Sequence, residues 1–433
     1  MIIHVVVPGD TPASVAALYG VAEENLLADN GLTPADRLVS GEALAVQFPE
    51  KIYTVRPGDT LFSIAKNLGI SLRQLYRNNF RLGGKPNLRP GEQLILSYQN
   101  QGSQGSFFTN SYAYPYISPE LLRSQLPYLT FFTPFTYGID REGGLLDLND
   151  RSLLALAKEY GTKSLMHLST LTEEDRFSNQ RASLIFNNPE KQAQLISQIL
   201  QIIEEKGYYG LDVDFEFIYP EERYDYITFL QSLRLRLNPV GRPLFSALAP
   251  KTADDQRGIL YEGHDYAGIG AAVNLALLMT YEWGYTYGPP MAVAPLPNVR
   301  RVAEYALTRI SGKKLLLGIP TYGYDWTLPF RPGNPGAPSL SPVEALALAR
   351  QHGAEIQYDD TAQAPWFHYT DAGGQLHEVW FEDARSIRAK LALAKELEIA
   401  GIGFWNAMRP FPQALTVLNN QYSILENPQI PGL

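Results

Sequence analysis

The sequence predicts an α/β protein: a (β/α)8 TIM barrel with a small α+β insertion, preceded by two small β-α-α-β modules. Three observations carry that prediction. A short motif recurs near the amino terminus at a fixed offset, a polar stretch without apolar residues follows it, and the rest of the chain alternates strand-like apolar runs with amphipathic helical ones. Alternation of that kind argues for a parallel sheet with helical crossovers. With 433 residues, 45% of them hydrophobic and 12% aromatic, the chain can bury more than one core.

The repeat comes first. Pro8-Gly9-Asp10-Thr11 matches Pro57-Gly58-Asp59-Thr60 at an offset of 49, Asn30 matches Asn79 at the same offset, and Leu38, Gly41 and Glu42 match Leu88, Gly91 and Glu92 at an offset of 50. Each copy opens with a β-rich run, and the Asp or Thr that follows can cap a helix. In the second copy Leu61, Ile64, Ala65 and Leu68 recur at helical spacing, a second helix carries Leu72 and Leu75, and Pro90-Gly91 turns into a last strand, 93–96. On these residues both copies, 2–48 and 52–98, resemble LysM modules. That resemblance implies binding of N-acetylglucosamine-containing glycans between the loop after the first strand and the loop after the second helix. It nominates Asp10, Thr11 and Asn30 in one copy, and Asp59, Thr60 and Asn79 in the other, as sugar-binding residues. Such residues also serve as ordinary turns and caps.

Residues 99–106, QNQGSQGS, have the composition of a flexible linker, which places the domain boundary there. Two weak modules on such a tether would gain by effective concentration. The barrel is expected over 107–425. Its strand candidates are 128–132, 164–168, 211–217, 244–248, 275–281, 314–320 and 401–405. One helix is especially well marked: Asn188 can cap it, Pro189 occupies its first position, Leu195, Ile196, Ile199, Leu200 and Ile203 form one stripe, and Gly207 ends it. An insertion is expected at 339–383, where Trp366, Phe367, His368, Tyr369, Trp380 and Phe381 either wall the cleft or pack against one another.

The strand after that helix carries Asp212, Asp214 and Glu216 at alternate positions, opposite Leu211, Val213, Phe215 and Phe217. On an open antiparallel sheet such acids would face water. A barrel strand is covered by helices outside and by side chains inside, so they must point inward. Desolvation and like charge then raise the pKa of at least one, which keeps an acid protonated near neutrality. Glu216, at the carboxyl end of the strand, is the natural proton donor, with Asp214 as its partner.

Composition narrows the alternatives. A net charge of -9 without a long basic run argues against nucleic acid or an anionic membrane as partner, and the absence of cysteine excludes thiolate chemistry. Six scattered histidines leave little for a metal site. The start MIIHVVVPGD lacks the features of a secretory signal peptide, and no apolar run reaches the length of a spanning helix. No cofactor, metal or membrane segment is expected.

GLDVDFE resembles the DxxDxDxE strand of family-18 glycoside hydrolases, and the likeness extends over about residues 120–420. The resemblance implies that Glu216 is the general acid, that Asp214 orients the substrate acetamido group, whose own oxygen attacks the anomeric carbon, and that Asp212 supports Asp214 electrostatically. It also makes Tyr281 a donor to the acetamido oxygen, sets Met279 and Glu282 beside it in the Met-x-Tyr-Asp segment, and makes Trp405 the floor under the sugar. Tyr209 stands where the family's first acid is usual, and altered packing without loss of activity is expected there. Two LysM modules before such a barrel, with the stretch GIPTYGYDWTLP, resemble spore cortex-lytic N-acetylglucosaminidases. The expected partners are therefore peptidoglycan strands or chitin-like oligosaccharides, the expected location is the spore, and a monomer is expected. A chitinase, a lectin of the same fold and a metal-dependent hydrolase are the competing expectations.

Overall fold

The computed structural model describes residues 1–433. Eight parallel strands form the barrel: β1 (Ser106–Ala113), β2 (Phe131–Pro134), β3 (Lys163–Ser169), β4 (Gly210–Asp214), β5 (Leu244–Leu248), β6 (Leu275–Leu278), β7 (Leu315–Pro320) and β8 (Gly401–Trp405). Neighbours pair in chain order, and β8 returns to β1 from Gly401↔Phe108 to Phe404↔Ser111, so the sheet has no open edge. Phe108, Phe131, Leu165, Phe245, Leu275 and Leu316 fill the interior. Close strand packing requires a glycine at Gly401, where a Cβ would lie 2.3 Å from the backbone oxygen of Phe108.

Seven of the strands were legible as apolar runs. β1 was not, because Thr109, Asn110 and Ser111 interrupt its pattern. Two of them find partners inside: Thr109 Oγ1 donates to Tyr128 O at 2.7 Å and Asn110 Oδ1 accepts from Thr133 Oγ1 at 2.9 Å, while Asn110 Nδ2 has no partner. β4 and β6 are shorter than the sequence suggests. The Phe215 carbonyl, which a longer β4 would offer to its neighbour, is taken by His264 Nε2 at 3.0 Å, and Thr280 Oγ1 caps the Gly318 carbonyl at 2.8 Å. The helix Pro189–Lys206 has the expected Asn188 cap and ends at Gly207 in the left-handed conformation.

The insertion between β7 and β8 begins earlier than expected, at Gly323 and not at 339. Gly323–Thr327 pairs with Leu376–Trp380 in a five-stranded antiparallel sheet, joined by Ala364–Thr370, Gln357–Asp359 and Ser339–Leu340. Trp366 stacks on Trp380 at 5.7 Å and Phe367 packs edge-on against Phe381 at 6.0 Å, so these aromatics pack largely against one another.

Each amino-terminal module pairs two antiparallel strands, Ile2–Val5 with Ala43–Val46 and Pro49–Thr54 with Gln93–Tyr98. Thr11 and Ser14 form a reciprocal capping box, as do Thr60 and Ser63. Asp10 accepts from Val7 N and lies 2.9 Å from His4 Nε2, while Asp59 accepts from Arg56 N and Tyr53 Oη. The nominated asparagines must be reassigned. Asn30 is 1% exposed; its Nδ2 donates to Leu26 O and Ala45 O, and its Oδ1 accepts from Ala45 N. Asn79 repeats this with Leu75 O, Ile95 O and Ile95 N. Both amides bracket the last strand of their module and are spent within the protein. Asn79→Ala is accordingly expected to cost about 1–3 kcal/mol in thermal or denaturant melts, because Ile95 loses its partners, while the folded variant keeps wild-type affinity for glycan.

The segment read as a flexible linker is fastened to the barrel. Gly102 N donates to Asn420 O at 2.8 Å, Gln104 N to Gln421 O at 2.9 Å, and Ser423 N to Gly105 O at 2.8 Å. The helix Pro412–Gln421 lies against both modules: Gln413 Nε2 donates to Ala43 O at 2.6 Å and Asn419 Nδ2 to Arg77 O at 3.3 Å. Arg77 adds bonds to Pro127 O and Glu426, and Arg350 on the insertion pairs with buried Glu42. A tether between independent units is thus replaced by one packed frame, because buried backbone carbonyls at the seam need these donors. No helix is long and apolar enough to cross a membrane.

Candidate active site

Alternation along β4 sends Leu211 and Val213 outward into the helix layer, where both are fully buried, and sends Asp212 and Asp214 into the barrel. Phe215 then anchors the strand end by stacking on Tyr226 and Phe229, each at 5.6 Å. Glu216 emerges two residues past Asp214 at the carboxyl face, where barrel active sites sit.

There a cleft of about 260 Å³ opens, lined by Tyr112, Asp214, Glu216, Ala247, Pro250, Leu260, Tyr261, Leu277, Met279, Tyr281, Glu282, Trp283 and Trp405. It brings together six of the nominated residues: Asp214, Glu216, Met279, Tyr281, Glu282 and Trp405. Asp212 lies one layer deeper, accepting from Tyr112 Oη at 2.8 Å. Asp10, Thr11, Asn30, Asp59, Thr60 and Asn79 belong to the modules and do not line the cleft.

The electrostatics follow from burial. Desolvation pushes Glu216 up to about 7, aided by the charge of Glu282. Asp212 is pushed up to about 7 by burial, against the opposing hydrogen bond from Tyr112. Asp214 lies well above the carboxylate range, first by burial and then by the charges of Glu216 and Asp212. Three acids without a neighbouring cation therefore hold protons near neutral pH. Glu282 is also raised by burial, although hydrogen bonds from Tyr322 and Tyr324 oppose the shift. Tyr324 belongs to the insertion, so that subdomain reaches the site by orienting Glu282. Trp405 is braced by Phe135 at 5.1 Å and Tyr112 at 5.4 Å. Tyr209, in place of an acid, sits at the opposite end of β4, stacked on Phe131 at 6.0 Å with Lys163 Nζ 4.8 Å from its ring centre.

Four contributors escaped the sequence reading. Tyr112 went with the unread β1, and His167 sits on β3 without a motif to mark it. Tyr322 and Tyr324 had a signal, since they alternate in the TYGYDW segment that pairs beside the cleft. No group of three or more His, Asp or Glu side chains is placed to hold a metal ion.

The architecture and this acid cluster define a glycoside hydrolase. Residues 149–409 match the glycosyl hydrolases family 18 and residues 4–46 and 53–97 match the LysM domain, and the chain belongs to glycosyl hydrolases family 18. Among its relatives, the cortical fragment-lytic enzyme of Bacillus anthracis is 38% identical over 96% of this chain and 97% of its own length. The crystal structure of the Bacillus cereus spore cortex-lytic enzyme SleL matches with a TM-score of 0.83 at 37% identity, covering 98% of both chains. That of the Bacillus megaterium enzyme matches at 0.82 and 35% identity, covering 98% of this chain and 99% of its own.

Proposed function

We propose that this glycoside hydrolase cleaves the β-1,4 bond after N-acetylglucosamine in spore-cortex peptidoglycan, with retention and with assistance from the substrate's own acetamido group. The observation that carries this is the protonatable Glu216 at the mouth of the barrel, next to buried Asp214 and above the Trp405 floor. Full-length similarity to cortical fragment-lytic enzymes supports the substrate and an association with the spore.

In this mechanism the sugar lies on Trp405, Asp214 accepts from the acetamido N–H, and Tyr281 donates to the acetamido oxygen. That oxygen attacks the anomeric carbon while Glu216 gives its proton to the departing glycosidic oxygen. Glu216, now ionised, takes a proton from the water that opens the oxazolinium ring, and the starting configuration returns.

Because Glu216 must enter the reaction protonated, activity falls as pH rises through about 7. Glu282→Gln removes a negative charge that helps hold that proton, so the alkaline limb of kcat/KM should move to lower pH. A pH profile of the two proteins checks the sign; a limb that stays in place or moves upward would refute the role of Glu282. Substrate choice is tested by digesting cortex peptidoglycan and chitin oligomers separately and identifying the products by mass spectrometry. Muropeptides ending in reducing N-acetylglucosamine, with chitin largely intact, are expected. Preferential digestion of chitin would make the protein a chitinase.

A further inference from the structure

His167 on β3 is fully buried and pairs across the sheet with Asp212, one step from the Ser169↔Asp214 pair. Its Nδ1 lies 2.6 Å from Thr136 Oγ1. Its Nε2 lies 3.7 Å from Asp214 Oδ2 and has no hydrogen-bond partner, and Asp214 Oδ1 has none either. Buried polar atoms without partners are rare, and here the unpartnered Nε2 faces, just beyond hydrogen-bond range, the Oδ2 of a carboxyl whose other oxygen is unpartnered, as is Asp212 Oδ1. Displacement by less than about 1 Å would close the gap. The Thr136 hydroxyl continues the line to Ser169 Oγ at 3.0 Å, which accepts from Leu171 N. A packing role also has support, since the ring lies edge-on to Tyr112 at 5.5 Å and beside Phe135 at 4.8 Å. Packing alone would be served by an apolar ring and leaves the unpartnered Nε2 unexplained.

We propose that His167 is a positioning residue for the hydrolysis: it supplies the inward hydrogen bond of Asp214 and, through Thr136, adapts to either protonation state of that carboxyl. The proposal rests on the hydrolase mechanism above. The ionisable groups facing the ring are Asp212 and Asp214 on β4 and Tyr112 on β1, with Glu216 and Tyr281 acting on it through Asp214. No lysine or arginine pairs with either aspartate, and burial pushes the imidazole down to about 3, so it is neutral at working pH. When Asp214 is protonated, its O–H donates to Nε2 and Nδ1–H donates to Thr136. When Asp214 is ionised, Nε2–H donates to the carboxylate and the Thr136 hydroxyl donates to Nδ1. The two arrangements differ by the one proton that Asp214 gains or loses, and the histidine carries no charge in either.

Three variants separate the roles. His167→Gln places an amide near the Nε2 position, His167→Asn keeps a polar group only near Nδ1, and His167→Phe keeps the ring alone. The Phe and Asn variants should lose at least tenfold in kcat with little change in KM. Their acid limb should move up by 0.5 pH unit or more, because ionised Asp214 has lost its donor. The Gln variant should recover to within about threefold of wild type, with the wild-type profile. Equal losses in all three variants, or unshifted profiles, would leave His167 as packing only.

A second measurement does not depend on how the His167 variants fold. In the wild-type protein with 15N-labelled histidine, the Nε2 signal of His167 should respond to the titration of Asp214, and the response should vanish in Asp214→Asn. Identical His167 signals in both proteins would overturn the proposal. If the wild type cleaves no glycan, the hydrolase mechanism fails, and the NMR comparison still decides the contact.

Discussion

Glu216→Gln is expected to lower kcat on glycan by about 10³-fold while leaving binding in the cleft within a few-fold of wild type. A positioned proton donor contributes about 10²–10⁴-fold, and Glu216 is the acid assigned that role. Glutamine fills the same space, so neither the Trp405 floor nor the Tyr281 contact is disturbed. Binding can be followed through the fluorescence of Trp283 and Trp405, which line the cleft. Loss of binding in parallel with activity would mean that Glu216 shapes the pocket and does not serve as its acid.

Asp214→Asn should produce an effect of opposite sign in stability and in activity. Asp214 is raised well above the carboxylate range, so the folded protein holds a proton that the unfolded chain releases near pH 4. Its contribution to stability is therefore present at low pH and is lost as pH rises toward the folded-state value. Asparagine imitates the protonated side chain at every pH and removes that loss. The variant should match wild type near pH 4 and exceed it by about 1–2 kcal/mol near pH 8, the usual size of a stability gain at an active site. Hydrolysis should fall sharply, because a neutral amide cannot become the carboxylate that holds the acetamido N–H strongly and offsets the positive charge of the oxazolinium ring. Melting curves at both pH values and a single activity assay check both halves; a variant less stable than wild type at pH 8 would show that the buried charge is more than compensated in the folded protein.

The acids were legible because three carboxylates at strand spacing conflict with burial, and such a conflict marks chemistry. Tyr281, Glu282 and Trp405 were legible through their order at strand ends, and the helix Pro189–Lys206 through its caps. What stayed hidden depends on partners remote in sequence. Polar Thr109 and Asn110 break the apolar pattern, and their partners Tyr128 and Thr133 lie further along the chain, which concealed β1 and Tyr112 with it. The composition of residues 99–106 is that of a tether, yet Asn420 and Gln421 hold its backbone. Asn30 and Asn79 have the residue type of a turn, and only the paired strand reveals that they are buried with their amides consumed. His167 lacked any local signal, since its meaning comes from Asp214 across the sheet.

The most direct test of substrate-assisted retention is proton NMR of the reducing-end N-acetylglucosamine released in the first minutes of digestion, before mutarotation mixes the anomers. With Glu216 as acid and then base, and the acetamido oxygen as nucleophile, the β-anomer should appear first and the α-anomer only later. First appearance of the α-anomer would mean direct attack by water with inversion, and would contradict the roles given to Asp214, Tyr281 and Glu216 together.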